Sequence, residues 1–266
     1  VTAPASVLPR TPVGIRPAIP NSARIWNYLL GGKDNYMTDQ NVAERMRAVA
    51  PDMNRAAWYH RRFLLRAVEN AARAGVRQFI DIGAGLPLGG HEPHEVAQKI
   101  QPEASFTAVD HDPMVFTHCN AMYNHRPNVH VLKADLRDVD AMIEGLRSLV
   151  DFDEPVAVLM VGVLDYVMDD EDPVAIMAQL RSALAPGSYL ALTHACISTD
   201  FDLKVQIGAD LIGSTAETVW RHWKAIAKFL DGFDVLPPGL RPVQEWLDGD
   251  LPRTQLDTLA AIARTD

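Results

Sequence analysis

Phe79-Ile80-Asp81-Ile82-Gly83-Ala84-Gly85 is the stretch whose reading decides the fold. Phe79 to Ile82 has the short, mostly apolar character of a buried strand, and Gly83 and Gly85 then let the backbone turn sharply. A turn without side chains can approach a ligand closely. The next apolar run, Phe106 to Val109, ends in an acid, Asp110. A strand, a glycine turn and an acid closing the following strand together form the cradle of a nucleotide-like cofactor. In that cradle Asp110 accepts hydrogen bonds from two ribose hydroxyls.

The spacing narrows the cofactor. A dinucleotide fingerprint is Gly-x-Gly-x-x-Gly leading straight into a helix. Here the turn continues through Leu86-Pro87-Leu88-Gly89-Gly90-His91-Glu92-Pro93, and the helix begins near His94. Pro87 and Pro93 have no N–H to offer a pyrophosphate, which disfavours an NAD-dependent oxidoreductase. A wide loop suits a cofactor without phosphate, and Asp81, just ahead of the first glycine, can face a cationic amino group. Asp-x-Gly-x-Gly followed by Asp110 resembles motifs I and II of class I S-adenosylmethionine-dependent methyltransferases.

Working outward, strands are expected at 77–82, 105–110, 128–133, 155–162 and 187–194. Helices are expected between them, at 94–101, 113–124, 138–149 and 172–185. Strands alternating with helices imply an α/β, Rossmann-like, doubly wound and mostly parallel sheet. Pro155 to Val161 is continuously apolar beyond its proline, as a central strand covered on both faces should be. Further on, a helix over 214–230, a strand near 233–236 and a last strand at 258–263 complete seven strands. The methyltransferase resemblance implies that one strand of the last pair is antiparallel. Upstream, helices are expected from Ser22 to Leu30, over Asp39–Ala48 and from Arg55 to Ala74, with Gly31-Gly32 breaking the first. The chain thus divides into an extended, proline-rich arm (1–20), a helical lid segment (21–74) and the α/β core (75–266).

Composition excludes several classes. Net charge is −9, which provides no basic field for nucleic acid. Arg61, Arg62 and Arg66 form the one compact basic group and read as a solvated helix face. Two cysteines, Cys119 and Cys196, support neither a disulfide framework nor a metal site, so a cytoplasmic, reducing setting is expected. No apolar run is long enough to span a membrane, and no signal peptide is expected at the N-terminus. His91 and His94 beside Glu92 and Glu95 flank Pro93 and read as a helix start, so no metal is expected.

In such sheets ligands bind beyond the carboxyl ends of the strands. Those ends carry Gly83 and Gly85, then Asp110 and His111, then Asp135 and Leu136, then Asp165 and Tyr166, and finally His194. Asp135 can accept the adenine amino group with Leu136 packed on the ring, although Asp135 also reads as a turn acid. His194 and Asp165 are the candidate bases for a nucleophile that arrives protonated. His194 equally reads as a core histidine, and Asp165 as a helix cap. Trp220, His222 and Trp223 have helical spacing and read as core or as part of the acceptor site.

The N-terminal block Ala23-Arg24-Ile25-Trp26-Asn27-Tyr28-Leu29-Leu30-Gly31-Gly32-Lys33-Asp34-Asn35-Tyr36 sharpens the assignment. With Val109-Asp-His-Asp-Pro113 and Ala134-Asp-Leu-Arg-Asp138, it resembles an actinomycete family of S-adenosylmethionine-dependent methyltransferases without an assigned substrate. The resemblance covers about residues 20–245. It implies that Tyr28, Gly32, Lys33, Asn35 and Tyr36 fold over the cofactor as a lid. By their own chemistry Lys33, with Arg24 as a second partner, can pair with its carboxylate, and the alternative is that the block only docks the N-terminal helices on the body. It departs at Leu164-Asp165-Tyr166, where relatives tend to have Leu-His-Phe, and at Trp26-Asn27-Tyr28, where they tend to have Tyr-Asp-Tyr. The expected activity is methyl transfer to a small-molecule acceptor by in-line displacement. A protein that binds the cofactor without transferring its methyl group is the alternative. The oligomeric state is open, a homodimer included.

Overall fold

In the computed structural model, which describes residues 15–197, 211, 214, 216–247 and 249–266, three helices precede the sheet. They are α1 (Ser22–Leu29), α2 (Met37–Val49) and α3 (Met53–Arg73). Most of the expected arm, residues 1–14, lies outside the described residues. Alternation follows: β1 (Gln78–Ile82), α4 (Pro93–Ile100), β2 (Ser105–Asp110), α5 (Pro113–Tyr123), β3 (Val129–Lys133), α6 (Val139–Leu146), β4 (Val156–Val161), α7 (Pro173–Ser182) and β5 (Tyr189–Ala195). The last quarter adds α8 (Trp223–Ala227), β6 (Asp234–Val235), β7 (Arg241–Pro242) and β8 (Thr258–Arg264).

The sheet runs β3-β2-β1-β4-β5-β8-β6, with β7 also paired to β8. The first five strands are parallel, and β8 enters antiparallel beside β5, from Tyr189 opposite Arg264 to Ala195 opposite Thr258. Eight strands therefore replace the seven expected, the extra one being the two-residue β7. The strand order reverses between β1 and β4, and a ligand crevice belongs at that reversal.

Side chains alternate across this sheet as the pleat requires. Phe79, Phe106 and Leu159 pack against Phe63 of α3 on one face. Ile80, Val158 and Met160 pack against Met142 and Leu146 of α6 on the other. A third apolar cluster joins α1, α2 and α3 through Ile25, Leu29, Val42 and Met53. Helix starts follow from local chemistry. Asn21 Oδ1 accepts the Arg24 N–H at 3.1 Å, and Asp112 Oδ1 accepts that of Met114 at 2.6 Å.

One expected element is corrected. The helix over 214–230 is confined to α8 and the short 3-10 turn that follows it. Upstream of it, Arg221 forms a parallel β-bridge with Cys196. Trp220 is buried in the third cluster while Trp223 is 51% exposed, so the aromatic spacing reflected no common helix face.

Candidate active site

The reversal point carries two adjoining cavities. The first lies between the glycine turn and the helices α1 and α3, with Trp26, Asn27, His60, Arg61, Gly85 and Asp110 in its wall. The second continues past Asp110 and His111 to Asp135, Leu136 and Arg137. Gly83, Asp110, His111, Val163 and Tyr166 belong to both.

The glycine turn is fixed by its backbone. Gly83 has φ +73°, and a Cβ there would lie 2.7 Å from Val163 Cγ2. Gly85 has φ +67°, but nothing lies within 4 Å of its would-be Cβ, so that side is left to a ligand. Asp110 holds the turn in register: Oδ2 accepts the Gly85 N–H at 3.1 Å and Oδ1 that of Asp112 at 2.9 Å. Burial raises the Asp110 carboxyl above its usual range, and the two N–H groups pull the other way. Each oxygen keeps lone-pair capacity for a further donor.

Asp81, at the end of β1 just before the glycine turn, is buried and lines neither cavity. Burial pushes its carboxyl up to about 7, with Asp110 and Glu92 adding to the rise and Arg61 opposing it. Arg61, expected as a solvated residue, instead turns inward, donating to Glu92 Oε2 at 2.9 Å and to the His91 carbonyl at 3.0 Å. Glu92 Oε1 in turn accepts the N–H groups of Leu88 and Gly89 at 2.8 and 3.0 Å. The loop containing both prolines is therefore pinned by a carboxylate, and the amides of Leu88 and Gly89 are not offered to phosphate.

Asp135 lies in the second cavity wall, where Arg137 clasps it from three directions: the backbone N–H at 3.0 Å, Nε at 2.9 Å and Nη2 at 2.6 Å. Asp135 is thus a turn acid that also lines the second cavity. The Arg137 hydrogen bonds hold its carboxyl below the usual range despite partial burial. Leu136 is buried beside it, and His111 is half-exposed, 3.7 Å from Asp110 Oδ1.

Residues of the N-terminal block are divided. Trp26 and Asn27 line the first cavity, whereas Tyr28, Lys33, Asn35 and Tyr36 line neither. Tyr28 faces α2 and donates to Glu44 at 2.7 Å, and Lys33 is exposed. Arg24, the expected carboxylate partner, is spent on Asp39 at 2.7 Å and on the Ile19 carbonyl at 2.6 Å, with Tyr36 stacked beneath its guanidinium. Gly32 and Asn35 instead support Asn27. A Cβ on Gly32 would lie 2.3 Å from Asn27 Nδ2, and Asn35 Nδ2 donates to Asn27 Oδ1 at 2.9 Å. The Asp34 N–H donates to the same oxygen at 2.9 Å. These bonds orient the Asn27 amide, whose Nδ2 is buried with no hydrogen-bond partner.

His194 is the clearest correction. Its side chain is fully buried and lines neither cavity. Nδ1 lies 2.9 Å from Asp165 Oδ1 and 2.8 Å from the Ala195 carbonyl, while Nε2 faces Arg221 Nη1 at 2.9 Å. A guanidinium can only donate, so Nε2 accepts and the ring proton sits on Nδ1. With both nitrogens engaged away from the cavities, His194 is a core histidine. Asp165 also lies outside the two cofactor-side cavities. Burial pushes its carboxyl up, but His194 and the Ala195 N–H outweigh this and hold it below the usual range.

Besides His111, a second imidazole reaches the first cavity, His60 of α3. Nδ1 is 2.8 Å from Thr193 Oγ1 and Nε2 is 3.3 Å from Thr258 Oγ1, and burial lowers its pKa to about 4. Nothing in the local sequence marks it, because its partners lie 133 and 198 positions away. Tyr166 Oη accepts the Trp26 Nε1–H at 2.7 Å, which ties α1 to the turn after β4. Among the described residues no cluster of three His, Cys, Asp or Glu side chains can hold a metal ion, and no helix is long and apolar enough to cross a membrane.

A family model described as S-adenosyl methyltransferase matches residues 11–266. A crystal structure of a candidate methyltransferase from Thermobifida fusca is 33% identical at TM-score 0.87, over 98% of this chain and 99% of that one. A DUF574 family protein from Streptomyces avermitilis is 29% identical at TM-score 0.87, over 93% of this chain and 98% of that one. An O-methyltransferase family protein from Burkholderia thailandensis shares the fold, at 14% identity and TM-score 0.52 over 80% of this chain and 60% of that one. No match is found among curated proteins.

Proposed function

This chain belongs to the S-adenosyl methyltransferase family, and we propose that it transfers the methyl group of S-adenosylmethionine to a small-molecule acceptor by in-line displacement. The observation that carries the reading is the glycine turn beside Asp110 in one cavity wall, where the would-be Cβ side of Gly85 is open and the carboxylate that accepts the Gly85 N–H keeps lone pairs for a further donor. The residues fit the cofactor end to end. Asn27 and Arg61 are the donors for its carboxylate, Asp110 accepts from the ribose, and Asp135 and Leu136 suit the adenine. When bound, S-adenosylmethionine supplies an electrophilic methyl carbon, to which the acceptor lone pair bonds as the carbon–sulfur bond breaks and its electrons return to sulfur.

The chain's own residues position and shield. α1 is the lid over the cofactor, with Trp26 and Asn27 on its inner side and the Gly32–Asn35 turn as its support. The Trp26–Tyr166 hydrogen bond latches it to the body. Excluding water and fixing the approach are the main tasks here, because the sulfonium is already a good leaving group.

Calorimetric titration with S-adenosylmethionine, S-adenosylhomocysteine and NAD tests the reading. Both sulfur compounds should bind and NAD should not. Asp110→Ala, which removes two charge-assisted hydrogen bonds, should weaken binding by at least about a hundredfold. Folded protein that binds neither sulfur compound would refute it.

Asp81 adds a pH dependence. An amino group bound near the first glycine favours the ionised carboxylate, so the ligand lowers an Asp81 pKa that stands at about 7 without it. Affinity for S-adenosylhomocysteine should therefore rise between pH 6 and 8, with proton release on binding below about pH 7. Each unit of pKa lowering corresponds to about tenfold in affinity. Titration in buffers of different ionisation enthalpy measures the released proton, and Asp81→Asn should abolish it.

A further inference from the structure

Behind the Trp26–Tyr166 latch lies a third, apolar chamber of about 50 Å³, which shares Trp26, His60 and Tyr166 with the first cavity. Its far walls are Ile25, Leu29, Met53, Trp220 and Leu256, with Ala216 at one side. Its charged group is Asp165, whose carboxylate is nine-tenths buried. Oδ1 of that carboxylate is taken by the Ala195 N–H at 2.8 Å and by His194 Nδ1 at 2.9 Å. Oδ2 has no hydrogen-bond partner among the described residues, and Asp165 is part of the chamber wall. A carboxylate with an unpaired oxygen in the wall of an apolar space next to the first cavity calls for a donor on an otherwise apolar ligand.

We propose that this chamber holds the methyl acceptor, and that the acceptor is a small, largely apolar molecule presenting a hydroxyl or amine to Asp165. The assignment rests on the methyltransferase reading above and deepens it. Size narrows the class further. An apolar cavity of about 150 Å³ takes benzene, so this smaller one suits a short aliphatic chain or branch. A carboxylate on the acceptor is disfavoured, because it would face Asp165 across a chamber whose described wall residues include no lysine or arginine.

The test uses the whole protein saturated with S-adenosylhomocysteine and three probe series of two to six carbons: n-alcohols, n-alkylamines and n-carboxylates. Ligand-observed NMR reads their dissociation constants. Alcohols and amines should tighten by about fourfold per added methylene until the chamber is full, and carboxylates should not bind. Ala216→Leu, which fills the chamber, should remove the gain with chain length. Leu256→Ala, which enlarges it, should move the plateau to a longer chain. Uptake of S-adenosylhomocysteine by each variant shows that it is folded. A flat series in wild type, carboxylates that bind as well as alcohols, or a chain-length dependence that both variants leave unchanged would overturn the assignment. Failure of wild type to bind S-adenosylhomocysteine would instead undo the cofactor reading on which it rests.

Discussion

Asp39→Ala is expected to cost about 3–5 kcal/mol of unfolding free energy, the range for breaking a buried ion pair from one side. Asp39 is fully buried and Arg24 nearly so. The carboxylate also accepts the N–H groups of Asn21 and Tyr36, at 3.0 and 2.9 Å. Alanine would strand a guanidinium and two amides together. Asn21 matters twice, because its side chain also donates to Asp112 Oδ2, next to the acid of the cofactor cavity. Loss of Asp39 should thus loosen α1 and lower cofactor affinity as well as stability. Replacing both partners, Arg24→Met with Asp39→Leu, should recover much of the stability. Denaturant unfolding alongside S-adenosylhomocysteine titration measures both effects. A loss below about 1 kcal/mol for the single variant would show that the pair is not the anchor of this segment.

Arg221→Met is expected to be about as severe, at roughly 3–5 kcal/mol, because three buried acceptors would each be left without their donor. The guanidinium donates to the carbonyls of Leu164 and Val167, at 2.9 and 2.6 Å, as well as to His194 Nε2 and Asp169. It thereby fixes both ends of the turn that presents Tyr166 to the cavities. Methionine fills the volume and satisfies none of these acceptors. At about 2–4 °C per kcal/mol for a chain of this size, the melting temperature should fall by roughly 6–20 °C. Arg221→Lys keeps the charge without the fork and should recover only part of the loss. A melting temperature unchanged in the methionine variant would remove Arg221 from the scaffold of the site.

The parts of this site that were legible in the sequence are local ones. Gly83, Gly85 and Asp110 announce themselves because a turn needing positive φ and an acid closing the next strand are fixed by short-range chemistry. What stayed hidden depends on groups far apart in the chain. His60 is an ordinary helical histidine until Thr193 and Thr258 arrive beside it. Arg61 looks solvated until Glu92 turns it inward. The stretch before Trp223 has helical spacing of aromatics, yet Arg221 is drawn into an extended bridge by the carbonyls of Leu164 and Val167. His194 misled for the opposite reason. Its place after a strand is where a base belongs, and only Arg221, 27 residues on, assigns it to the core. The N-terminal block is dense in constraint, but the constraint is divided: Asn27 lines the first cavity, whereas Tyr28, Lys33 and Arg24 serve other neighbours or solvent.

The placement of β8 has a consequence for how the protein is made. β6 and β7 pair with β8 alone among the described strands, and β8 is also what covers the outer edge of β5. On the ribosome, the parallel half of the sheet can assemble once β5 has emerged, but its edge then waits for about 60 more residues. At about 5–20 residues per second the wait is roughly 3–12 s, during which β5 is an open template for another strand. Nascent copies on one messenger are therefore most exposed to mispairing in that interval, and slower translation between β5 and β8 would lengthen it.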